Sequence, residues 1–97
     1  MLARTPEPAA TGTLRIATWN ILRGTPEQVE ARGAQDFVPA GRALAADILA
    51  VQEVTSFPAV VRLAQFMGFE APHIAVSNAR KDSEVWYEAL ELGVISR

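Results

Sequence analysis

Four apolar residues run without a break from Ile48 to Val51, and Gln52 and Glu53 follow at once. A short continuous apolar run predicts a strand buried on both faces, with Gln52 and Glu53 where it leaves the core. Upstream, Leu14 to Asn20 alternates. Leu14, Ile16 and Thr18 share one face, Arg15, Ala17 and Trp19 the other, so Asn20 emerges on the Leu14 side. Asn is depleted within strands, so Asn20 marks either the strand's end or a functional position. The plainer reading is a turn-forming Asn bonded to its own backbone.

Between these strands Gly24 permits a sharp turn. Pro26 opens a helical turn through Glu30, and Gly33 breaks it. A second helix is expected from Asp36 to Ala46. Asp36 caps it, Pro39 sits in its first turn, and Phe37, Ala40, Leu44 and Ala45 face a core. Gly41 argues against it. Strand, helical crossover and strand make an α/β unit, which leaves open whether the two strands are parallel or adjacent.

After Val54, Ser56 is a good N-cap and Pro58 is tolerated in the first turn. Val60, Leu63, Ala64 and Met67 follow at i, i+3, i+4 and i+7, an amphipathic helix. Gly68 is placed as the C′ residue, with Phe69 packing back. His73 to Ser77 alternates as a short strand, Asn78 to Glu84 is a loop without an apolar anchor, and Leu92 to Ser96 is a last strand. Residues 1–12, with Pro6, Pro8 and Gly12, have no period and are expected to form a flexible leader.

With 97 residues, one domain is expected, and 49% hydrophobic with 21% charged residues is globular composition. A net charge of −2 excludes a basic field over the whole chain. The absence of cysteine excludes disulfides and thiolate metal sites. A metal must then be held by oxygen or by the single histidine, His73, and oxygen ligands favour Mg²⁺, Mn²⁺ or Ca²⁺. No apolar run reaches the length of a membrane span, and the N-terminus lacks the apolar core of a secretory signal, so the expected location is cytoplasmic.

Two strand-end residues carry the candidate chemistry: the Glu53 carboxylate as a metal ligand, and Asn20, a neutral amide at the end of another strand. The alternative for Glu53 is a solvated strand-end side chain. Arg80 and Lys81 offer cations to a phosphate, but a solvated loop is the favoured reading of them.

Leu14 to Asn20, Asp47 to Val54, and Leu92-Gly93-Val94-Ile95-Ser96-Arg97, in that order, resemble the opening half of the endonuclease/exonuclease/phosphatase superfamily of metal-dependent phosphoesterases. The resemblance covers residues 13–97. It implies an α/β fold, the N-terminal part of a four-layer α/β/β/α sandwich, truncated here to an incomplete domain. It implies that Glu53 is the principal metal-binding carboxylate, with Mg²⁺ the expected ion, and that Asn20 helps place the metal and the scissile phosphate. Gln52 belongs to the motif without a catalytic role, and His73 matches no catalytic position. The implied reaction is metal-assisted attack of water on a phosphodiester or phosphomonoester: nucleic acid, a phospholipid head group, an inositol phosphate or a small phosphodiester. The sequence contains no Gly-Asp-x-Asn and no Ser-Asp-His segment, where the family keeps its remaining ligands and base. This chain alone is therefore expected to be inactive, to need a missing C-terminal half or a second chain, and to leave one sheet face uncovered. The alternative function is a non-catalytic α/β interaction module that retains the half-fold.

Overall fold

The computed structural model describes residues 12–77 and 91–97. The leader, apart from Gly12, and the expected 78–84 loop with Arg80 and Lys81 lie outside these residues. The elements run β1 (Ile16–Gly24), α1 (Pro26–Leu44), β2 (Ile48–Val54), α2 (Phe57–Phe66), β3 (His73–Val76) and β4 (Glu91–Ser96). They form a small α/β structure whose mixed sheet has the order β1-β2-β4-β3. β1 and β2 are parallel neighbours, with Ile16 opposite Ile48, and β4 runs antiparallel to both β2 and β3. The helical crossover from β1 to the adjacent parallel β2 answers the question that spacing left open.

Alternation assigns the two sheet faces. Leu49, Val51 and Ile95 are fully buried beneath the helices with Phe37, Val60 and Leu63. Trp19 meets the Phe37 ring edge-on at 5.9 Å. Gly93 lets α2 approach, since a Cβ there would stand 3.1 Å from side-chain atoms of Val51 and Val60. The other face is open: Ile16 is 68% exposed, Leu92 57% and Val94 43%. This corrects the expectation that β2 is buried on both faces, because Ile48 and Ala50 are only half-buried on that open side. Among the described residues no helix is long and apolar enough to cross a membrane.

The α2 expectations hold in detail. Ser56 Oγ accepts from the Ala59 N–H, and Gly68 at φ 90 ends the helix. The Phe69 N–H donates to Ala64 O and the Gly68 N–H to Gln65 O, a Schellman closure that seats the buried Phe69 ring.

α1 differs. Its N-cap is Thr25, whose Oγ1 accepts from the Gln28 N–H at 3.0 Å. Gly33 at φ 59, ψ −161 kinks it, as the glycine predicted, but the helix resumes directly rather than at Asp36. Asp36 is not a cap; its carboxylate accepts from Arg32 Nε at 3.4 Å. The helix ends at Leu44, with Ala45 in the left-handed conformation rather than helical. Gly41 is no weak point, because a Cβ there would collide with the Met67 carbonyl. Tertiary approach has overridden helix propensity at this residue.

Asp47 ties down the start of β2. Its carboxylate accepts from the Arg15 N–H at 2.8 Å and meets Arg97 Nε at 3.5 Å. Its backbone N–H donates to Arg15 O and its carbonyl accepts from the Arg97 N–H, so one residue joins three strands.

Candidate functional site

The opposite end of β2 is irregular. The β1–β2 register is even from Ile16/Ile48 to Asn20/Gln52 and then jumps to Gly24/Val54. Three residues of β1, Ile21 to Arg23, therefore stand opposite Glu53 alone. The β2–β4 ladder breaks at the same place, between Gln52 and Val54. Glu53 is the inserted residue of a bulge and sits at φ 67, a position that usually takes glycine.

The bulge reverses the alternation. Leu49 and Val51 face the helices, so a regular strand would send Glu53 inward beside them. Instead Val54 takes the fully buried place, and the Glu53 carboxylate turns toward Asn20. Asn20 Nδ2 donates to Glu53 Oε2 at 3.1 Å, joining residues 33 apart in sequence. The Arg23 N–H donates to Glu53 Oε1 at 3.2 Å, and the Leu22 N–H donates to Asn20 Oδ1 at 2.9 Å. These donors fix the orientation of the Asn20 amide, because Oδ1 must accept while Nδ2 donates.

Both readings of Asn20 thus meet in one side chain. It closes a local turn onto Leu22, and it also presents its amide to Glu53. Leu22 and Arg23 are each at φ 60, so the sharp turn falls on them rather than on Gly24. Gly24 serves a different purpose, since a Cβ there would stand 2.5 Å from Ile21 Cδ1 and 3.2 Å from Glu53 O. Alongside, Gln52 Nε2 donates to Thr18 Oγ1 at 2.7 Å, extending the polar strip along the open face.

Two further groups had no sequence signal. Arg32 reaches from α1, its Nη1 donating to Ile21 O at 2.6 Å and to Leu22 O at 3.4 Å. The Arg23 backbone N–H is the other, visible only once the turn is drawn. His73 lies at the far end of the sheet, opposite Ser96, which itself pairs with Ile48. Glu53 lies five steps along β2 from Ile48, roughly 16 Å, so His73 takes no part in this cluster.

The donor set is small. Among the described residues no three acidic or histidine side chains gather to hold a metal. Among the described residues each Glu53 oxygen accepts one hydrogen bond and keeps a lone pair, and Asn20 Oδ1 also keeps one. That chemistry fits a hard cation with one protein carboxylate and a shell otherwise of water and phosphate oxygen, as Mg²⁺ commonly accepts. No protein-family model, no curated protein and no solved structure matches the chain.

Proposed function

We propose that this chain is the N-terminal portion of a metal-dependent phosphoesterase of the endonuclease/exonuclease/phosphatase type, with Glu53 as its first metal ligand and Asn20 beside it. The observation that carries the reading is the convergence of Asn20 and Glu53 at a strained strand end. Strained backbone outliers in non-glycine residues collect at functional sites, where surrounding contacts hold them. The resemblance had paired the same two residues on motif grounds.

In this reading Glu53 offers its free lone pairs to Mg²⁺, or to Mn²⁺ or Ca²⁺. The bound ion supplies Lewis-acid stabilisation of charge on the phosphate oxygens. Asn20 holds the carboxylate in place through Nδ2 and keeps its remaining acceptor near the ligand position. Being neutral, it adds no repulsion toward a phosphate. The open sheet face is the one a second sheet would cover in a four-layer sandwich. A cytoplasmic location belongs to the same reading. Among the described residues no general base stands at this site, and in this reading the chain alone binds metal without turnover.

The test is Mn²⁺ titration of the 97-residue chain by nuclear magnetic resonance. Broadening is expected to centre on Asn20 and Glu53, with affinity lost in Glu53→Gln. Broadening elsewhere, or unaltered affinity in that variant, defeats the assignment. Mg²⁺-dependent hydrolysis of a simple phosphodiester by the chain, lost in Glu53→Ala, would refute the claim that it is inactive alone.

The open apolar face favours a second reading, a non-catalytic interaction module. Stable one-to-one assembly with another polypeptide in the presence of a chelator would favour it over the first.

A further inference from the structure

We propose that Arg32 is a positioning residue that sets the Asn20–Glu53 pair through the backbone of the Leu22–Arg23 turn. The inference rests on Glu53 being the metal ligand and extends that reading to α1.

The geometry is a double clamp. A trans peptide points its C=O and its N–H in opposite directions. The Ile21–Leu22 peptide gives its carbonyl to Arg32 Nη1 and its N–H to Asn20 Oδ1. The Leu22–Arg23 peptide gives its carbonyl to the same nitrogen and its N–H to Glu53 Oε1. One guanidinium nitrogen therefore holds the back of both peptides whose fronts bind the two site residues. Pulling on each carbonyl also polarises its peptide, which strengthens the donated N–H bond.

The turn needs such a hold. Leu22 and Arg23 both lie in the left-handed region, which L-residues rarely adopt. Arg32 is well placed to resist relaxation, because it is itself fixed. Its guanidinium lies 5.0 Å from the centroid of the buried Phe37 ring, and Nε is engaged by Asp36. Gly33 follows immediately, and its kink separates the part of α1 that carries Arg32 from the part that carries Phe37. Lysine cannot reproduce this fork, since its single ammonium cannot hold the carbonyls and Asp36 from one rigid plane.

The test is a double-mutant cycle read on two amide protons. In the wild-type chain, Glu53→Gln is expected to shift the Arg23 amide, because a charge-assisted bond becomes a neutral one. With Arg32→Met already present, the same change is expected to move the Arg23 amide by less than half as much. The Leu22 amide should lose exchange protection while the Leu49 and Val51 amides keep theirs. Mn²⁺ affinity should fall about tenfold in Arg32→Met, the loss typical for removing an outer hydrogen-bonding partner of a ligand. Arg32→Lys should recover part of both effects.

A folded Arg32→Met chain with an undiminished Arg23 response and unchanged Mn²⁺ affinity would overturn the proposal. If Arg32→Met does not fold, Arg32→Lys decides, and behaviour identical to wild type overturns it. A merely structural role for Arg32 would lower stability and leave the coupling intact. If the wild-type chain binds no Mn²⁺, the metal reading fails, while the amide coupling still reports on Arg32.

Discussion

Glu53 sits in a backbone conformation that favours glycine, so its replacements should reverse the usual stability order. In an ordinary strand, alanine is more stable than glycine by roughly 0.5–1 kcal/mol. Here φ is 67, and any side chain retains a left-handed cost of about 1–2 kcal/mol. Both substitutions lose the hydrogen bonds from Asn20 Nδ2 and the Arg23 N–H. These are solvent-accessible, so about 1 kcal/mol each is a fair measure. Glu53→Ala keeps the strain and should destabilise the chain by about 2 kcal/mol. Glu53→Gly loses the same bonds and adds glycine's chain-entropy cost of roughly 0.5–1 kcal/mol, but it relieves the strain, so it should be the more stable variant by up to about 1 kcal/mol. Urea unfolding of the two variants, at equal m-values, measures the difference directly. For a chain of this size about 1 kcal/mol also appears as roughly 4–8 °C in Tm. Alanine as stable as glycine, or more so, would show that the bulge is not strained. Both variants should lose Mn²⁺ affinity, whichever is the more stable.

Three other outcomes follow from the same structure. Gly33 at φ 59, ψ −161 occupies a region that is essentially glycine-only, so Gly33→Ala should cost about 1–3 kcal/mol in urea unfolding although no atom obstructs the new methyl. Asp47→Ala removes the acceptor for the Arg15 N–H and the partner of Arg97; a loss of about 2 kcal/mol is expected, read as a drop in Tm. The open face should drive association, so the wild-type chain should elute larger than a monomer at high concentration, and Ile16→Lys with Val94→Lys should return it to monomer without lowering Tm.

The regular parts of this fold were legible because they depend on local periodicity. The i, i+3, i+4, i+7 row from Val60 to Met67, the Ser56 cap and the Gly68 terminus all appear where the pattern puts them. Alternation from Leu14 to Asn20 placed Asn20 on the open face correctly. The site's geometry was not legible, because it depends on departures from that periodicity. Counting by twos from Val51 sends Glu53 toward the helices, and only an inserted residue turns it back. Nothing in the residue types Leu22, Arg23 and Glu53 announces a positive φ. Asp36 resembled a cap because its residue type suits one, but the helix already runs through it and its carboxylate pairs with Arg32 one turn before. Gly41 was discounted on propensity, although its value comes from Met67, a neighbour 26 positions away in the chain.

The two ends of β2 are linked by register. At Asp47 the strand is tied to both neighbours by backbone and side-chain bonds. From there the β1–β2 ladder runs without irregularity to Asn20 and Gln52. A slip of one residue would turn every apolar side chain to the wrong face and carry Asn20 away from Glu53. The Asp47 end, roughly 20 Å from the site, therefore shares with the buried apolar face the work of fixing where each strand arrives. The strain at Glu53 is tolerated because Val51 and Val54, on either side of it, are fully buried and hold the strand against the helices. It follows that Asp47→Ala should act on the site only through stability. At temperatures where the variant remains folded, the Arg23 and Leu22 amides should keep their wild-type shifts, since the register is also held by the apolar face. Shifts altered in the folded variant would mean that Asp47 selects the register by itself, and that the buried face does not.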